Sequence, residues 1–73
     1  MCHLGDTLLE AALATFKARH DVANANLATY LHNSTAVGEH AGLAEEVIQL
    51  IEKLEHHESC FDLTKKLIKE RNE

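Results

Sequence analysis

The chain has 73 residues, near the size at which one hydrophobic core yields only about 3–5 kcal/mol of net stability unless staples or partners add burial. Apolar residues make up 45% but aromatics only 4%, and with no Pro and abundant Ala, Leu, Glu and Lys this is the composition of an all-α protein built from long helices. A formal charge of -5 weighs against nucleic acid and anionic membrane as partners, because both attract basic surfaces.

The opening stretch "MCHLGDTLL" lacks a basic segment followed by a long apolar run. Nothing elsewhere approaches the ~18 consecutive apolar residues of a membrane span, so a cytoplasmic location is expected. The sequon Asn33-Ser34-Thr35 then escapes glycosylation. Cys2 and Cys60 lie far apart with no CxxC spacing, which points to reduced thiols rather than a zinc knuckle or redox motif.

A first helix is expected over about 6–32. Leu9, Leu13, Phe16, His20, Ala23, Leu27 and Tyr30 alternate spacings of four and three, the seam of a helix that packs along its length. Asp6 or Thr7 is placed to cap its start. Ala11, Ala12, Ala18, Val22 and Ala25 beside the seam are small, so a partner helix can approach closely there.

The stretch 33–40 is the expected loop, within "YLHNSTAVGEHAGL". Asn33 suits a left-handed turn at a helix end, Gly38 frees the backbone, and His40 stands where a cap would precede Ala41. Tyr30, Asn33, Gly38, Glu39 and His40 have a plain reading as a structural turn and a functional one as a recognition surface, since loops on rigid scaffolds commonly carry binding.

A second helix is expected over about 41–70. Leu43, Val47, Leu50, Leu54, His57, Phe61, Thr64 and Ile68 repeat the four-three seam, and Ile48, Ile51, Leu63 and Leu67 widen it beyond what one partner helix covers. Glu45 and Glu46 near its start and Lys65 to Arg71 near its end complement the helix macrodipole. Two such helices, each ~40 Å long, joined by a short loop fold back as an antiparallel hairpin. With the reversal centred near Val37, Leu13 meets Phe61, Ala23 meets Leu50 or Ile51, and Leu27 meets Val47. The surplus stripe of Ile48, Ile51, Leu63 and Leu67 implies self-association, with a homodimer closing a four-helix bundle as the economical form.

Six histidines raise a metal reading, because His57 and His56 stand three and four residues before Cys60 and the hairpin brings His20 near His57. A zinc site needs three or four converging ligands, and neither HExxH nor paired Cys is present. The residues therefore read as seam or flank histidines, with no metal and no cofactor. A neutral imidazole in a seam needs a hydrogen-bond partner, so acid sensitivity is expected of His20 and His57. Ser34 shares the loop with His32, Glu39 and His40, but a hairpin loop offers no rigid walls or oxyanion donors, so no catalytic residue is assigned and the chain reads as no enzyme.

Tyr30-Leu31, Asn33 and Val37-Gly38-Glu39-His40, followed by a helix rich in Glu, Lys and Leu, resemble a group of short helical-hairpin proteins of unknown function encoded by tailed phages, notably those of marine cyanobacteria. That group carries Pro and an acid after the His, where this chain has Ala41-Gly42; a second Pro is replaced by Ser34-Thr35. The resemblance implies a phage accessory factor acting on a host component in the bacterial cytoplasm.

Together these features lead to a non-enzymatic interaction module that self-associates and presents helix faces or loop tips to a protein partner. The alternative is an oligomeric binder, or sponge, for a metabolite or nucleotide held by the loop residues.

Overall fold

The computed structural model describes residues 3–32 and 42–72. Among them the chain forms two helices and no strand: α1 (His3–His32) and α2 (Leu43–Asn72). They lie antiparallel, for Arg71 Nε near the end of α2 donates to Asp6 Oδ1 near the start of α1 at 3.1 Å. No helix among the described residues is long and apolar enough to cross a membrane.

Both helix starts differ from the sequence expectation. Neither Asp6 nor Thr7 caps α1, which already runs from His3; Asp6 sits inside the first turn, where its charge faces the positive end of the macrodipole and Arg71 besides. The second helix starts at Leu43 rather than Ala41. Gly42 takes the capping place instead, its carbonyl accepting from the Glu46 N–H at 3.1 Å. The physical reason is propensity: Gly inside a helix costs about 1 kcal/mol against Ala, yet it is an acceptable N-cap. At the far end, Lys69 and Arg71 occupy the last turn of α2.

The two four-three seams meet as expected. Every seam residue from Leu9 to Tyr30 and from Leu43 to Ile68 is buried or half-buried, and outside the seams only Gly5, Asp6, Ala12 and Cys60 are similarly shielded among residues whose side chains are described. The burial is nevertheless thin. Among the described residues only Ala23 (5% exposed), Leu50 (7%) and Thr64 (5%) are buried outright. Ala23 and Leu50 line one groove, a small residue against a large one, while Ile51 is exposed; of the two partners expected for Ala23, it is Leu50 that faces the seam.

Contacts fall further along both helices than a reversal at Val37 suggests. His20 Nε2 lies 3.8 Å from Glu58 Oε2, whereas a simple mirror about Val37 would set His20 against Leu54. Side-chain direction accounts for this. Every Cα–Cβ bond leans toward its own helix N-terminus, so antiparallel partners touch at positions C-terminal to those whose backbones are level.

The resulting shape is a rod. Its radius of gyration is 16.6 Å, against about 11 Å for a compact domain of this length. Its accessible surface is 5570 Å², while a compact monomer of 8.1 kDa exposes roughly 4,500 Å².

Candidate functional site

Of the loop residues singled out in the sequence, Tyr30 is half-buried in the last turn of α1. Asn33, Gly38, Glu39 and His40 lie outside the described residues. Tyr30 thereby belongs to the seam as much as to the tip.

The seam divides the rod into two long grooves of different character. One is charged, lined by Lys17, His20 and Asp21 of α1 and Glu58, Phe61 and Asp62 of α2. Lys17 Nζ reaches Asp21 Oδ2 at 2.9 Å, the helical i,i+4 spacing. The ammonium of Lys17, with the His20 ring second, holds the Asp21 carboxyl below the usual carboxylate range. One turn further along α2, the Lys65 ammonium stands 5.5 Å from the centre of the Phe61 ring, within cation–π reach.

The other groove is lined by Ala18, Arg19, Val22, Ala23 and Asn26 of α1 with Leu50, Lys53 and His57 of α2. His56 and His57 meet edge to face with ring centres 5.3 Å apart, and Cys60 Sγ lies 3.8 Å from His56 Nε2. The Nδ1 atom of His57 is buried without a hydrogen-bond partner. Burial lowers the His57 pKa, and the neighbouring His56, Arg19, His20 and Lys53 push it the same way.

These two sides keep the histidines apart as potential ligands. His20 turns to the carboxylates, with Nδ1 3.4 Å from Asp21 Oδ1 and Nε2 toward Glu58, while His57 lines the opposite groove. Among the described residues no group of three or more His, Cys, Asp or Glu is placed to hold a metal ion. Ser59 Oγ donates to Glu55 Oε1 of its own helix at 3.0 Å.

The remaining candidates are apolar. Ile48, Ile51, Leu63 and Leu67 are all exposed, but they do not form one patch. Ile48 and Ile51 lead into the helical row through Glu55, Glu58 and Asp62 beside the charged groove; Leu63 and Leu67 continue the row of Lys53, His56 and Cys60 on the other side. Such rows follow from the 3.6-residue turn.

Sequence reasoning passed over Leu4, Leu8 and Leu31, which are exposed as well, as is Val22, noted there only for its small size. For Leu4, Leu8 and Val22 the signal was a second four-three spacing on α1, hidden behind the stronger seam; Leu31 stands off that row. No protein-family model, no curated protein and no solved structure matches this chain.

Proposed function

We propose that this protein is a non-enzymatic interaction module: a helical hairpin that pairs with its own copy to close a four-helix bundle, leaving helix faces and loop tips for a protein partner. One observation carries the reading. Among the described residues eight large aliphatic side chains, four on each helix, remain 41–66% exposed, while three residues are buried. Monomeric proteins seldom leave so much apolar surface in water, and a covering partner is the ordinary reason.

The loop shared with tailed-phage hairpins supports an accessory factor directed at a host protein in the bacterial cytoplasm. The acidic surface, with its charge of -5, suits a basic patch on such a partner. Light scattering on the size-exclusion peak of the purified protein tests the self-pairing; a mass of two chains is expected, and a single-chain mass at micromolar concentration overturns it. Affinity capture from host lysate tests the second half, and recovery of background proteins alone counts against it.

A further inference from the structure

The self-pairing reading leaves open which face pairs, and the outside of α1 supplies an answer. A row with the same four-three spacing as the seam runs from Leu4 through Leu8, Ala11 and Thr15, then on through Ala18, Val22 and Ala25 to Thr29. Every member is exposed. None is ionisable, in a chain that is 26% charged.

The two threonines do not break its apolar character. Thr15 Oγ1 donates to the Ala11 carbonyl at 2.9 Å and Thr29 Oγ1 to the Ala25 carbonyl at 2.9 Å, so each hydroxyl is turned back on its own helix and the methyl faces out. Thr64 makes the same bond, to the Cys60 carbonyl at 2.7 Å, and Thr64 is buried between the helices. The outer row handles its hydroxyls as the buried seam does.

The order of sizes selects an arrangement. If a second α1 runs antiparallel, reversed about the point midway between Thr15 and Ala18, Leu4 faces Thr29, Leu8 faces Ala25, Val22 faces Ala11 and Thr15 faces Ala18. Each larger residue then meets a smaller one, as close interdigitation requires. Parallel pairing in register sets Leu on Leu and Ala on Ala.

The second helix points to the same axis independently. Lys17 and Phe61 share a groove and His20 approaches Glu58, so the midpoint of the α1 row is level with Cys60. On the groove side of α2, Cys60 is also the centre of its own row: reversal about it sets Leu63 within one residue of His56 and Leu67 against Lys53. Aliphatic groups then cover a ring and a lysine stem.

We propose that two copies pair through this face about a two-fold axis crossing α1 between Thr15 and Ala18, with α1 antiparallel to α1, α2 to α2, and the two Cys60 thiols side by side. The surface in hand is sufficient. The rod exposes about 1,000 Å² more than a compact monomer of its mass, and a standard interface removes roughly 800 Å² per partner.

The proposal rests on the self-pairing reading, and its test separates the two. Protein carrying Cys2→Ser is treated with a short bis-maleimide, which joins two thiols by addition to each, and its mass is read by light scattering without the reagent. A covalent dimer through Cys60 is expected. Ala18→Glu, on the exposed row, should halve the scattering mass and abolish the cross-link while circular dichroism stays helical; Ala28→Glu, off the row, should change neither. A dimer that gives no Cys60 cross-link and ignores Ala18→Glu overturns this interface and leaves self-pairing standing. A parent protein of single-chain mass overturns both.

Discussion

His57 carries a polar atom that the seam does not satisfy, since Nδ1 is buried without a partner. Burial first, then four cationic or protonatable neighbours, lower its pKa. The folded chain then binds fewer protons than the unfolded chain on the acid side of the ordinary histidine range. The stability tied to neutral His57 is full above the unfolded value of about 6.5 and is lost as pH falls through the lowered folded value. Thermal unfolding followed between about pH 7.5 and about pH 5 should show a falling midpoint, and His57→Leu should flatten that slope and raise the midpoint at the acid end. His20 stands on the other side of the seam, beside Asp21 and Glu58, although the sequence placed both histidines equally in the seams. Asp6 and Arg71 form another long-range pair, but with side chains 46% and 43% exposed they are screened by water. Asp6→Asn should cost under about 1 kcal/mol in chemical unfolding.

Each helix has a packed side and an outer side, and the tolerance of substitution follows from which is touched. Leu50 lies against α1 almost out of water, so Leu50→Ala should cost about 2–4 kcal/mol, comparable to the whole stability of a domain this small. Denaturant unfolding should find most of that variant unstructured. Ala23, which lines the same groove, is as buried, and a longer side chain there must displace what shields it; Ala23→Leu should cost about 1–3 kcal/mol by overpacking. Gly42 is the opposite case. A Cβ there meets nothing within 4 Å, and its carbonyl already starts the α2 ladder, so Gly42→Asp adds a side-chain acceptor and a charge at the positive helix end. A gain of a few tenths of a kcal/mol is expected in the thermal midpoint.

At the scale of the molecule, a rod of two helices has no interior, only a seam. Apolar burial is the main source of stability, and here eight large aliphatic side chains among the described residues, Leu4, Leu8, Val22 and Ile48 with them, are turned outward. If the proposed pairing forms, the hairpin gains stability from its second copy by mass action. The unfolding midpoint should therefore rise with protein concentration, a dependence that melts at several dilutions measure directly; a midpoint independent of concentration would show the hairpin to be stable alone. Ile48 and Ile51, on the opposite side from the α1 row, stay free after such pairing and offer a surface near the loop end for a different protein.

Spacing alone determined a great deal about this protein. Alternating fours and threes among apolar residues mark a helix with one face to be covered, two such helices in a short chain cover each other, and every seam residue from Leu9 to Tyr30 and from Leu43 to Ile68 is shielded accordingly. The cap at Gly42, two residues past the expected cap at His40, was less legible because His40, Ala41 and Gly42 all precede the first seam residue, Leu43, and seam spacing does not mark which of them caps the helix. Tertiary structure decided what depends on direction around and between the helices. It sent His20 and His57 to opposite grooves, set Ile51 apart from Leu67, and turned Leu50 rather than Ile51 into the seam. The physical reason is that periodicity locates a residue along its helix and within a broad stripe, whereas which side of the seam it occupies, and what stands level with it, follows only when two helices are packed and their side chains lean toward their own N-termini.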